Sequence, residues 1–229
     1  MATRTGTNGD DVLFGTGGDD FLDGRAGNDT LFGGGGNDTV APGDGIDTAY
    51  GGSGIDTIDY YGANGPVVVN LAQGTAQDGS GATDRLFSFE NIEGSLYGDT
   101  LIGNNGANRI NGSYGSDTLT GGGGADTFML SGRTDAADTI TDFQHGVDRF
   151  ELHRTEVFIP DHQPPAGTLG AQYFTEGTQA TTPDQMLIYD ADRHVILLDV
   201  DGSDTRFEAT PLFTVQAGAE ISASDFLLV

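Results

Sequence analysis

A nine-residue period constrains this 229-residue chain more than any other feature. Written in rows of nine from Gly6, the chain places Asp at the sixth position of six successive rows, as Asp11, Asp20, Asp29, Asp38, Asp47 and Asp56. The eighth position of the same rows holds Leu13, Leu22, Leu31, Val40, Ala49 and Ile58. After a break the frame resumes at Gly94, with Asp99, Asn108, Asp117 and Asp126 sixth and Leu101, Ile110, Leu119 and Phe128 eighth.

The residue types of one row dictate its local structure. Its first six positions are mostly Gly, Asn and Asp, which tolerate the positive backbone angles of tight turns. The last three form a very short strand whose middle residue, the eighth, faces inward while its neighbours face outward. Nine residues then make half a coil and eighteen a full one. Asp11, Asp29 and Asp47 stack along one edge, and Asp20, Asp38 and Asp56 along the other. Stacked carboxylates repel, so a cation must lie between them. Calcium suits the turns, because a hard ion takes about six to eight oxygen ligands in forgiving geometry and the turns offer carboxylates and backbone carbonyls. Magnesium demands tighter octahedral geometry, and zinc wants His or Cys.

Composition fits this reading. The chain carries 35 acidic residues against 9 basic ones, a net charge of −26, with no Cys and 38 Gly. Self-repulsion of that size keeps a chain open until a cation neutralises it. It also argues against nucleic acid or anionic lipid as a partner. Without Cys, metal is the available staple. The first residues contain no apolar run, so no cleavable N-terminal signal is expected, and no stretch approaches membrane-spanning length.

The repeats imply four segments: a first block over 1–59, a strand and hairpin insertion over 60–93, a second block over 94–131, and a C-terminal cap over 132–229. The insertion is inferred from spacing, because Asp56 and Asp99 lie 43 residues apart, which is no multiple of nine. Within the first block Pro42 replaces a first-position Gly, and Ala49 underfills an inward position. Phe14, Phe32 and Tyr50 recur every eighteen residues at the outward ninth position and predict an aromatic ladder. Either another part of the chain covers it, or it forms a platform for a partner protein or a sugar. Asn108 supplies no charge, so a weaker or missing calcium is expected there. Antiparallel strands are expected around M-L-I-Y-D, H-V-I-L-L-D-V and the run to Phe213, and an irregular loop over 155–170 with Pro160, Pro164 and Pro165. The run D-V-D-G-S-D, 199–204, lacks EF-hand spacing and reads as a hairpin turn.

Ten such rows resemble the repeats-in-toxin (RTX) family, and the nonapeptide is a known calcium-binding β-helix repeat. The resemblance implies an all-β fold, a parallel β-roll or right-handed β-solenoid, with calcium between successive turns. The insertion with its I-E motif and the segment D-T-I-T-D-F-Q-H-G-V-D-R-F-E-L, 138–152, are similar to the C-terminal non-catalytic domain of serralysin-type secreted metalloproteases. By that likeness Asp138 and Asp142 ligate a last calcium. Glu151 and His153 stand where Asp and Ser are common, which argues against the short helical turn that usually follows. The ending S-D-F-L-L-V is similar to an uncleaved signal for type I secretion machinery, which implies an extracellular protein. No H-E-x-x-H, G-x-S-x-G or P-loop motif occurs. The reading is therefore a secreted, non-catalytic, calcium-dependent module. The alternatives are a polysaccharide- or cell-surface-binding module, or a detached domain of a larger secreted hydrolase or epimerase.

Overall fold

The computed structural model describes residues 1–130, 137–158, 163–202 and 208–229. Pro160 and positions 203 and 204 of the acidic turn lie outside them. The chain forms an all-β parallel β-roll of two facing sheets, with a β-rich cap at its C-terminal end.

One sheet runs through Thr3–Thr5, Phe21–Asp23, Thr39–Ala41, Thr57–Asp59, Asn91–Glu93, Arg109–Asn111, Thr127–Leu130 and Arg149–Leu152, every neighbour parallel. The other begins with Val12–Phe14, Thr30–Gly35, Thr48–Ser53 and Thr83–Phe87, also parallel. Register follows the eighth position. Leu13 pairs Leu31, Leu31 pairs Ala49, and on the facing sheet Leu22 pairs Val40 and Val40 pairs Ile58. Alternation of the pleat sends these side chains inward, and Leu22, Leu31, Val40, Ala49 and Ile58 are completely buried.

The segment between the two blocks rejoins the roll before the repeat frame resumes at Gly94. Leu86 pairs Ala49, so the large Leu86 side chain follows the underfilled position in the inward column. Ile92 pairs both Ile58 and Ile110, which makes the first sheet continuous across the break. In the second sheet the hairpin Val68–Asn70 and Thr75–Gln77 wedges antiparallel strands between Thr83–Phe87 and Thr100–Ile102. The break thus alters only one of the two sheets.

At the C-terminal end the aliphatic inward column becomes aromatic. Phe128, Phe143, Phe150, Phe213 and Phe226 pack ring against ring, with centroids 4.4–6.4 Å apart. Thr210–Val215 joins parallel to Asp138–Ile140, and Leu187–Asp190 and Val195–Leu198 continue antiparallel, as the sequence predicts. Phe226–Leu228 from the terminal S-D-F-L-L-V lies between Arg149–Leu152 and Gly167–Thr168, with Phe226 and Leu228 buried. The expectation against a helical turn is corrected: Arg154–Val157 forms one α-turn. His153 gives its N-terminus no side-chain cap, so backbone bonds hold the turn, with Val157 and Phe158 donating to the carbonyls of His153 and Arg154.

The aromatic ladder forms and gains a ring. Phe14, Phe32, Tyr50 and Phe87 stack with centroids 4.7–5.0 Å apart and planes within 12°. Phe14 is 61% exposed and Phe87 44%, so the ladder lies open. Because each inner ring has a neighbour on both faces, the ladder presents edges outward. Face-to-face rings at the strand spacing hold neighbouring strands in line, one of the few devices that flatten a naturally twisted sheet. Inward and outward positions should therefore differ in weight: Leu101→Ala should cost about 2–5 kcal/mol of stability, and Phe32→Ala, losing two stacking contacts, about 1–3 kcal/mol, both read by denaturant unfolding at saturating calcium.

Candidate metal centre

The sixth-position carboxylates build the site, and the first-position glycines make room for it. The carboxylate folds back over the start of its own turn. A Cβ on Gly24 would lie 2.5 Å from Asp29 Oδ2, and one on Gly33 2.6 Å from Asp38 Oδ2. A Cβ at either glycine would force the carboxylate to shift, whereas Pro42 holds the same position in the row of Asp47.

One oxygen of each carboxylate is used by the backbone. Oδ1 of Asp29, Asp38, Asp47 and Asp56 accepts the N–H of Asp11, Asp20, Asp29 and Asp38, eighteen residues earlier, at 2.7–2.8 Å. In the second block Asp117 and Asp126 accept from Asp99 and Asn108, both at 2.8 Å. Three residues outside the repeat frame extend the columns. Asp84 accepts from Asp47 and Glu90 from Asp56, each at 2.9 Å, and Asp148 accepts from Asp126 at 2.9 Å. Sequence spacing missed all three, although each stands two positions before an inward strand residue, Leu86, Ile92 or Phe150. Asp138 takes its place below Asp117 at 3.1 Å. Asp142 lies off the column, and both its oxygens accept backbone N–H groups, from Gly121 and Gly122.

The second oxygen decides what the site can do. Oδ2 of Asp29, Asp38, Asp47, Asp56, Asp117 and Asp126 is buried and has no hydrogen-bond partner. An unsatisfied buried carboxylate oxygen is among the costliest groups a fold can hold. Burial raises the pKa of all six carboxyls, with like-charged neighbours adding to it. Asp47 reaches about 7 and Asp126 about 6. Asp84, whose Oδ2 accepts the buried Tyr60 hydroxyl at 2.7 Å, is also raised by burial to about 6. At the outermost coil the direction reverses, since hydrogen bonds from Thr7 and Thr16 lower Asp11 and Asp20.

These oxygens fit a hard cation. Among the described residues no three His, Asp or Glu side chains converge on one metal position. An ion between two coils would therefore take two carboxylates and complete its shell with turn carbonyls, which suits calcium and not zinc. Asn108 differs: its Nδ2 donates to the Glu90 carbonyl at 2.7 Å and to Asn104 Oδ1 at 3.3 Å. The amide itself supplies the positive end that a cation would supply in the other rows.

The raised pKa values set a sign. A carboxyl whose folded pKa lies above its unfolded one binds protons more tightly when folded, so it favours the fold at low pH and opposes it as pH rises towards the folded value. In chelator, lowering the pH from roughly 8 to roughly 5 should increase β-structure by circular dichroism; with calcium present, the same acidification should release ions, because proton and cation compete for one oxygen.

Two family models match the chain. The RTX calcium-binding nonapeptide repeat (4 copies) matches residues 5–40. The peptidase M10 serralysin C-terminal model matches residues 29–228. No curated protein matches. Among solved structures, the crystal structure of the extracellular lipase LipA from Serratia marcescens aligns with 99% of this chain at 17% identity and a TM-score of 0.28; the chain spans 40% of that lipase's length. The nonapeptide rows, the segment that interrupts them and the capped C-terminal end together make this chain a member of the peptidase M10 serralysin C-terminal family, with RTX calcium-binding repeats at its start.

Proposed function

We propose that the chain is a secreted calcium-binding module whose activity is ion-triggered folding, without catalysis of its own. The observation that carries this reading is the set of buried, unpartnered carboxylate oxygens stacked along both edges of the roll. With a net charge of −26 and no Cys, the empty chain stays open by self-repulsion, and calcium binding energy becomes folding energy. In a low-calcium cytosol an extended chain would fit the type I secretion machinery, with S-D-F-L-L-V as its signal. Outside, calcium would close the coils. Asp11, Asp20, Asp29, Asp38, Asp47, Asp56, Asp99, Asp117 and Asp126 would hold the ions with turn carbonyls, joined by Glu90 and Asp138 but not by Asp84, whose two oxygens already accept from Asp47 and Tyr60. Asn108 would hold none directly, and the doubly hydrogen-bonded Asp142 fits an ion poorly.

The open aromatic ladder supports a second reading, a polysaccharide or cell-surface contact, at its two ends. Sugar rings stack on aromatic faces, and only the outer faces of Phe14 and Phe87 are unstacked.

Calcium titrated into the chelated protein should convert a coil-like circular dichroism spectrum cooperatively to β-structure, with dissociation constants of about 10⁻⁴ to 10⁻³ M, and magnesium should not. A chelated chain that is already folded and indifferent to calcium would remove the basis of this reading.

A further inference from the structure

The ten rows divide into two kinds, and the division falls at the second position. In six rows that residue has a left-handed backbone: Arg25 (φ 75°), Gly34 (109°), Gly43 (96°), Gly52 (117°), Ser113 (68°) and Gly122 (95°). These are the rows of Asp29, Asp38, Asp47, Asp56, Asp117 and Asp126, whose Oδ2 atoms are unpartnered. In the other four rows the second residue turns back and hydrogen-bonds the sixth. Thr7 donates its N–H at 2.6 Å and its hydroxyl at 2.9 Å to Asp11 Oδ2. The Thr16 hydroxyl reaches Asp20 Oδ2 at 2.7 Å. The Ser95 N–H reaches Asp99 Oδ2 at 2.6 Å, and the Asn104 N–H reaches Asn108 Oδ1 at 2.8 Å.

Chain order explains the division. Thr7 and Thr16 begin the first block, and Ser95 and Asn104 begin the second, one row for each edge. A block's first coil has no repeat turn before it to share an ion, so its carboxylate or carboxamide needs a donor from its own turn. Later coils have such a turn, and their sixth residue's Oδ2 takes no bond from the second residue; the N–H groups of Ser113 and Gly122 go instead to Asn111 Oδ1 and Asp142 Oδ2. Arg25 and Ser113 are informative here, because a non-glycine residue in the left-handed region is strained by roughly 1 kcal/mol or more. Both hold that conformation in rows whose carboxylate oxygen is bare.

We propose that the second residue of each row decides whether that row seats a cation against the coil before it. Left-handed rows are open and seat one ion each; rows beginning with Thr7, Thr16, Ser95 and Asn104 are capped and mark where a calcium block starts. The repeats then seat six ions, four in the first block and two in the second. This inference rests on the calcium reading above.

The test counts bound calcium by native mass spectrometry and by equilibrium dialysis in wild type and in variants paired at one position. Arg25→Gly keeps the left-handed turn and should bind the wild-type number of ions, with a higher denaturant midpoint. Arg25→Thr adds a β-branched donor that disfavours that turn and should bind one ion fewer while remaining β-rich in calcium. Ser113→Thr makes the same change in the second block with a single added methyl group, so a folding failure of Arg25→Thr leaves the proposal testable. Thr16→Val removes a capping hydroxyl and should leave the count unchanged. A folded Thr variant that keeps the full number, or a loss of an ion in Thr16→Val, would overturn the proposal. A wild-type protein that binds no calcium would instead overturn the parent reading.

Discussion

Everything in this structure depends on holding carboxylates above one another at the spacing of a parallel sheet. The fold solves half of that problem with backbone alone, since each Oδ1 accepts the N–H of the aspartate one coil earlier. That bond fixes the side chain over its own turn and leaves the second oxygen buried and unmatched. Hydrogen bonds from the same turn remove the mismatch at Asp11 and Asp20. At Asp29, Asp38, Asp47, Asp56, Asp117 and Asp126 no donor among the described residues reaches the second oxygen, which leaves a cation or a proton to match it.

The inward column has a different logic and a different tolerance. A strip one side chain wide on each sheet buries Leu, Val and Ile in register, and such a core needs volume and alternation but no directional chemistry. It accommodates Ala49 because the inward position is flanked in register by Leu31 and Leu86. At the C-terminal end, where no further coil follows Arg149–Leu152 in the nonapeptide frame, the aromatic cluster around Phe150 fills the end of the roll and the terminal strand covers it. A repeat array buries its faces only against neighbours, so its ends require residues of another kind.

The interrupted segment shows how much irregularity the roll absorbs. Asp84 with Leu86 and Glu90 with Ile92 keep the roles and the two-residue spacing of sixth- and eighth-position residues, although the spacing between the two pairs and to the repeats is irregular. The wedged hairpin ends the run of sixth-position carboxylates on one edge, where Val67 supplies only its N–H to Asp99. On the other edge the column passes through Glu90 to the amide of Asn108. The two edges of one solenoid are thus unequal.

The sequence by itself determined the coil, the two aspartate columns, the inward residues and the aromatic ladder, because each is a consequence of one period and of the two-residue alternation of a strand. It also carried the family resemblance through its repeats and its 138–152 segment. Only the tertiary structure decided which carboxylate oxygens are left bare, that Phe87 completes the ladder, that Asp84, Glu90 and Asp148 extend the columns, and that the C-terminal strand is enclosed on both sides. Those features depend on the sign of a backbone angle or on contacts between residues of irregular separation. A periodic reading of the chain registers the residue at each position but not the direction in which its N–H points.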